Sequence, residues 1–139
     1  MTRTQAREIA YKMIFGDQFV DKGFDQEDFV NLMDGEKFDA SDIEFVQNLV
    51  VGVRTHLDEL KEIIGRNLSA YKYDRLFSAD KAALLLCTYE LKYNRKETPI
   101  KVAINEALNL VNKYSTEKSS AFVNSVIDKI YKEICGSNE

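Results

Sequence analysis

Basic side chains occur at two places in the sequence where their spacing suits anion binding. Arg3 and Arg7 are four residues apart, so a helix through this segment would place them on one face. Two guanidinium groups on one face can contact adjacent phosphates or stack on bases. Lys118 lies where a helix is predicted to start, near 116–119, and a helix start offers unpaired backbone N–H groups and a positive dipole end. Both patterns indicate contacts with phosphate.

The distribution of charged residues along the chain supports phosphate binding better than the net charge does. The formal net charge of −4 by itself argues against nucleic acid, which is bound through lysine and arginine. Residues 17–44, however, hold ten acidic side chains against two lysines, a local balance of −8, whereas basic residues cluster in 1–12 and 92–101. The other interpretation of each charged segment is an ordinary solvated surface.

Other chemistry has little support in the sequence. His56 is the only histidine, and it lies between Thr55 and Asp58 in a setting typical of a surface or capping residue. There is no glycine-rich phosphate loop, no paired cysteine and histidine metal spacing, and no serine or cysteine with a plausible base. Cys87 and Cys135 do not make a disulfide framework. We therefore predict no enzyme, no cofactor and no metal site.

The elements that position these residues are predicted to be helices. Apolar residues recur at three-and-four spacing through most of the chain, and the chain has only one proline. The segment 99–132 predicts a pair of neighbouring helices, and Ala79–Tyr93 is so apolar that it must be covered on most sides. Several residues are at positions typical of helix caps: Thr2 with Gln5, Ser41 with Glu44, Ser78, and Thr98 before Pro99.

The sequence therefore predicts an all-α fold of about seven helices in two lobes. We place the N-terminal lobe at about 1–66 and the C-terminal lobe at about 67–139, within a single domain. No apolar segment is long enough to span a bilayer or resembles an export signal, so we expect a cytoplasmic location without membrane contact.

Several blocks of the sequence resemble the NusB family of bacterial transcription antitermination proteins. KVAINEALNLVNKYS followed by FVNSVIDKI is similar to the family's signature, and REIAYKMIF, LVVGV and DKAALLLCTYEL resemble its other blocks in the family's order. The resemblance covers nearly the whole chain. It implies an all-helical factor that binds boxA-type single-stranded RNA with the ribosomal protein NusE, in an RNA polymerase antitermination complex acting in ribosomal RNA transcription.

The resemblance also implies site residues. The protein-partner positions are Phe15, Asp74 and Asp80, although Asp80 is equally well explained by the positive end of its own helix dipole. Phe122 is also one of the apolar residues that recur at three-and-four spacing in 99–132, so packing in the core is its alternative role. Lys118 stands where many members carry an acid. The implied RNA-binding residues are Arg3, Thr4, Arg7, Tyr114, Lys118 and Phe122.

Three classes of function remain open from the sequence. The first is the RNA-binding antitermination factor, the second is a helical scaffold that binds only protein, and the third is a hydrolase that uses carboxylates. The fold also occurs fused to RNA cytosine methyltransferases, and we expect no such domain in this chain. The sequence leaves open whether the protein forms a homodimer that covers its own RNA face.

Overall fold

The computed structural model describes residues 1–69 and 72–136, and the predicted all-α fold is confirmed. Within that part of the chain there are seven α-helices, one short 3₁₀ helix (Tyr73–Arg75) and no strand. The helices are α1 (Arg3–Asp17), α2 (Gln26–Met33), α3 (Ala40–Thr55), α4 (Leu57–Arg66), α5 (Ser78–Tyr93), α6 (Ile100–Tyr114) and α7 (Glu117–Ile134).

The helix α5 is the centre of the structure, as its apolar sequence predicts. Five other helices contact it, namely α1, α3, α4, α6 and α7. Six successive residues, 82–87, are all buried, so no side of the helix can face water over that length. Because α5 contacts helices from both halves of the chain, their buried side chains join into one hydrophobic cluster. The boundary between two lobes near residue 66 stays a prediction.

A glycine permits the close approach of α3 to α5. A Cβ atom at Gly52 would lie only 2.2 Å from Cζ of Tyr89. Any larger residue would therefore force the tyrosine ring away from α3. The glycine in the block LVVGV thus has a packing role.

The predicted helix caps are partly correct. Thr2 and Gln5 form the expected capping box at the start of α1. At the start of α3 the cap is Asp39, not the predicted Ser41, and its side chain accepts a hydrogen bond from the Asp42 backbone N–H at 3.1 Å. The predictions for Ser78 and Thr98 are wrong, because neither side chain caps a helix. The Thr98 hydroxyl instead lies within hydrogen-bonding distance of a buried arginine on α1.

A break at His56 separates α3 from α4. The His56 ring stacks on the Tyr93 ring of α5, with ring centroids 4.0 Å apart and ring planes at 17°. Apolar residues continue at helical spacing on both sides of this break, so the spacing alone does not mark it. None of the helices in the described ranges has the length and apolar character needed to cross a membrane.

Candidate nucleic-acid interface

A network of hydroxyl groups fixes the start of α7. The Thr116 side chain caps the helix by accepting a hydrogen bond from the Ser119 backbone N–H at 3.1 Å. The hydroxyls of Ser115 and Thr116 each lie 3.0 Å from that of Ser119, which donates to Asp80 Oδ2 at 2.8 Å. Lys118 is exposed in this first turn. The predicted start near 116–119 is confirmed, and it combines free N–H groups, the helix dipole and an ammonium group, all of which attract phosphate.

An open cavity of about 710 Å³ lies beside the start of α7. Leu76, Phe77 and Phe122 supply its apolar lining, and Phe77 is 60% exposed. Arg75 and Lys118 also line it. Phe122 packs partly against the core while it lines the cavity, so both roles predicted for it remain available. Aromatic rings beside cationic groups suit a nucleobase and its phosphate.

Tyr114 lies at the end of α6 against α1. Its ring stacks on that of Tyr11, with centroids 5.6 Å apart and planes at 28°, and the side chain is 38% exposed. The Tyr114 hydroxyl donates to the Glu8 carboxylate, which also accepts from Lys113 Nζ at 2.7 Å. Lys12 Nζ lies 5.8 Å from the centroid of the Tyr114 ring. This ring is therefore held in one orientation, with two ammonium groups beside it.

The charges around Glu8 reinforce each other. Partial burial raises the pKa of the Glu8 carboxyl, but hydrogen bonds from Lys113 and Tyr114 outweigh this effect and hold the pKa below its ordinary value. The hydrogen bond to Glu8 in turn raises the pKa of Lys113. Both groups are therefore charged at neutral pH, and the carboxylate already neutralises part of the positive charge on this face.

Arg3 and Thr4 lie at the exposed start of α1. The Arg3 guanidinium is 4.5 Å from the centroid of the Phe45 ring, and its Nη1 atom is 3.7 Å from Asp42 Oδ1. The Thr4 hydroxyl donates to Glu106 Oε1 at 2.6 Å. Both side chains are in contact with solvent, so a ligand can reach them.

The prediction that Arg3 and Arg7 present two exposed guanidinium groups on one face is wrong for Arg7. The Arg7 side chain is only 3% exposed, and its Nε and Nη2 atoms donate to the two carboxylate oxygens of Glu90 at 2.9 and 3.1 Å. Nη2 also lies 3.3 Å from the Thr98 hydroxyl, and Nη1 lies 3.6 Å from Glu106 Oε1. Arg7 therefore joins α1 to α5, and its charge is not available to RNA.

The predicted partner residue Phe15 lies where α1 passes the start of α5. Tyr11 Oη and Gln18 Nε2 each donate at 2.9 Å to a backbone carbonyl in the first turn of α5. Phe15 is on the same side of α1 between them and is partly exposed. Its ring is 5.3 Å from that of the exposed Phe19. An apolar surface thus borders the first turn of α5.

The two predicted acidic partner residues differ in burial. Asp80 is 3% exposed, and although its Oδ2 atom accepts from Ser119, its Oδ1 atom has no hydrogen-bond partner within 1–69 and 72–136. A buried acceptor left in this way costs about 1–3 kcal/mol. Asp74 is exposed in the 3₁₀ helix, and Lys81 Nζ contacts its backbone carbonyl at 3.3 Å.

Two residues of this region were not predicted from the sequence. Arg75 lines the cavity, and Glu8 is the anion around which Lys113 and Tyr114 converge. Glu8 and Lys12 are four residues apart, so their shared face could have been inferred. The contact between Glu8 and Lys113 joins residues 105 positions apart and depends on the packing of α1 against α6.

The end of α6 and the start of α7 present aromatic and cationic side chains on the surface. This arrangement is typical of an all-helical protein that binds a ligand. A family model described as the NusB family matches residues 4–132. The transcription antitermination protein NusB of Clostridium botulinum (strain Alaska E43 / Type E3) is 36% identical over 135 residues, covering 96% of this chain and 100% of that protein. The protein of the same name from Bacillus subtilis (strain 168) is 35% identical over 134 residues, with coverage of 96% and 98%.

Solved structures agree with this similarity. T. maritima NusB superposes with a TM-score of 0.84 at 30% identity, covering 96% of this chain and 92% of that one. A NusB chain from a crystal structure of antitermination factors NusB and NusE in complex with dsRNA superposes with a TM-score of 0.79 at 28% identity, with coverage of 94% and 96%. The chain therefore belongs to the NusB family, which consists of transcription antitermination proteins and not of enzymes.

The burial of Arg7 predicts a large effect on stability. Replacement by alanine leaves the Glu90 carboxylate buried without its cation, so we expect Arg7→Ala to lower the free energy of unfolding by about 3–5 kcal/mol. In a domain of this size the melting temperature should fall by roughly 10–17 °C. Arg3→Ala, which removes an exposed guanidinium one turn earlier, is the matched control and should leave the melting temperature nearly unchanged. Equal melting temperatures for both variants in thermal unfolding followed by circular dichroism would contradict this account of Arg7.

Proposed function

We propose that the chain is an antitermination factor that binds boxA-type single-stranded RNA together with the ribosomal protein NusE. It acts within an RNA polymerase antitermination complex during ribosomal RNA transcription, in the cytoplasm. The observation that carries the proposal is the group of aromatic and cationic side chains at the end of α6 and the start of α7, which α1 borders through Glu8, Tyr11 and Lys12. We call this surface the RNA face. Its predicted residues that remain accessible are Arg3, Thr4, Tyr114, Lys118 and Phe122.

The chemistry of the RNA face supports a single strand as the ligand. Tyr114 is partly exposed, and Phe122 lines the cavity beside Lys118. Aromatic rings of this kind stack on unpaired bases, whereas a regular duplex hides its base faces. The start of α7 adds backbone N–H groups for a phosphate. The related complex contains dsRNA, so a duplex of the same sequence is the natural competitor in binding experiments.

The start of α5 supports a second, protein ligand. Phe15 and the exposed Phe77 supply apolar area, and the exposed Asp74 adds a carboxylate beside them. The related complex contains NusE, and we assign this surface to that ribosomal protein. Asp80 lines the same cavity as Phe122 and Lys118, so partner and RNA would lie side by side.

The scaffold that binds only protein is the alternative. The acidic segment 17–44 would be its contact surface, and ion pairs compensate only part of its charge. Asp17 and Asp21 pair with Arg54, and Lys22 pairs with Asp25 and Asp28. The absence of RNA binding, with and without NusE, would favour the scaffold.

The proposal predicts weak RNA binding by the protein alone. With Arg7 buried, we expect about three or four phosphate contacts, which gives a slope of roughly −2 to −3 when log affinity is plotted against log salt concentration. Because NusE would add contacts along the same strand, it should tighten binding at least roughly tenfold. Fluorescence anisotropy of a labelled boxA-type oligonucleotide, in a salt series with and without NusE, measures both quantities. An unrelated strand of equal length is the control, and equal affinity with and without NusE would contradict the coupling.

Lys118 provides a sharper test of the RNA face. Lys118→Glu replaces a phosphate contact with repulsion, so we expect RNA affinity to fall roughly tenfold and the salt slope to lose about 0.7. An acidic side chain in the first turn of α7 interacts favourably with the helix dipole, so the melting temperature should stay the same or rise slightly.

The matched control is Lys129→Glu, which makes the same charge change at an exposed position further along α7. The control should bind RNA almost as the unmodified chain does. If both variants lose affinity equally, net charge rather than the start of α7 governs binding, and the assignment of Lys118 is wrong.

A further inference from the structure

The Glu8 carboxylate lies at the meeting point of three groups that would otherwise be available to RNA. Lys113 Nζ contacts both of its oxygens, at 3.1 and 2.7 Å, and the Tyr114 hydroxyl donates to the second oxygen. Lys12 lies one helical turn further along α1, beside the Tyr114 ring. Glu8 is 21% exposed, so its carboxylate is open to solvent on one side.

This arrangement has the composition of a phosphate-binding position. Ammonium and hydroxyl groups that converge on one point are typical donors to a phosphate oxygen. Here the point is occupied by an anion of the protein itself. Two lysines face one carboxylate, so the position keeps a net positive charge, but Lys113 is neutralised by direct contact.

We propose that Glu8 occupies a phosphate-binding position on the RNA face, so that RNA competes with this carboxylate for Lys113 and Tyr114. The inference rests on the proposed RNA binding and adds a residue that limits its affinity. An ion pair at a partly exposed site is weak, so a phosphate of the strand can displace the Glu8 side chain or share its donors. Glu8 thereby lowers affinity for any polyanion, and only a strand with further contacts on the RNA face overcomes it.

A second role for Glu8 would give a different result. If Glu8 served only to orient Tyr114 for stacking, its removal would free the ring and weaken RNA binding. Glu8→Gln keeps the shape and an acceptor for the Tyr114 hydroxyl while it removes the negative charge, so the orienting role predicts unchanged affinity and competition predicts tighter binding. A gain in RNA affinity then identifies competition, and unchanged affinity identifies the orienting role.

The experiment measures binding of labelled boxA-type single-stranded RNA in the presence of NusE, for the unmodified chain and for Glu8→Gln. We expect Glu8→Gln to bind roughly threefold to tenfold more tightly and to steepen the salt slope by about 0.7, the contribution of one additional phosphate contact. Asp128→Asn is the matched control, since it also frees a lysine on the surface by removing a carboxylate partner, in this case from Lys132. The control should leave the RNA affinity and the salt slope nearly unchanged.

A double-mutant cycle with Lys113→Gln gives an independent readout. Loss of Lys113 should weaken RNA binding more in the Glu8→Gln background than in the unmodified chain, because only there is its charge fully available. Melting temperatures of all variants establish that the fold is intact.

The outcomes separate the inference from the proposed function. If the unmodified chain binds RNA and Glu8→Gln binds equally or more weakly, the inference is wrong and the proposed function stands. If neither protein binds RNA with NusE present, both are wrong. Tighter binding by Glu8→Gln, with no change in Asp128→Asn, supports the inference.

Discussion

The rest of the structure depends on the need to cover α5 on nearly all sides. Ten of its sixteen residues are buried, including Glu90, and a buried carboxylate requires a partner. Arg7 provides that partner from α1 with two hydrogen bonds, and Tyr11 and Gln18 add hydrogen bonds from α1 to the first turn of α5. α1 also contacts α6, where Glu8 is hydrogen-bonded to the end of that helix. The contacts of α1 with α5 and α6 therefore determine where the residues of the RNA face lie.

The same packing explains how two binding surfaces come to be neighbours. Asp80 in the first turn of α5 is hydrogen-bonded to Ser119 in the first turn of α7, so the starts of the two helices are held together. The cavity between them includes Phe77, from the side assigned to NusE, and Lys118, from the side assigned to RNA. Cooperation between the two proposed ligands therefore needs no long-range change in shape. The net negative charge of the chain is compatible with RNA binding because Arg75 and Lys118 place positive charge beside this cavity.

Apolar spacing alone predicted the helical class, the buried α5 and the start of α7. These features depend on residues a few positions apart, which the sequence displays directly. The role of Arg7 was not predicted, because a spacing of four shows only that Arg3 and Arg7 share a face. Whether part of that face is buried depends on Glu90, which lies 83 residues away in the sequence. The grouping of Glu8 with Lys113 was missed for the same reason. Helix caps were misassigned where several serine, threonine and aspartate residues compete, as at Asp39 and Ser41.

The central claim is that RNA binds where α1, α6 and α7 meet. Backbone amide NMR of the ¹⁵N-labelled protein, titrated with boxA-type single-stranded RNA in the presence of unlabelled NusE at constant salt, tests it most directly. A spectrum of the complex with NusE alone provides the reference, so that only changes caused by RNA are counted. The account predicts that these changes concentrate in residues 3–12 and 113–122 and leave the basic segment 92–101 almost unaffected. Changes concentrated in 92–101, with the start of α7 unaffected, would contradict it.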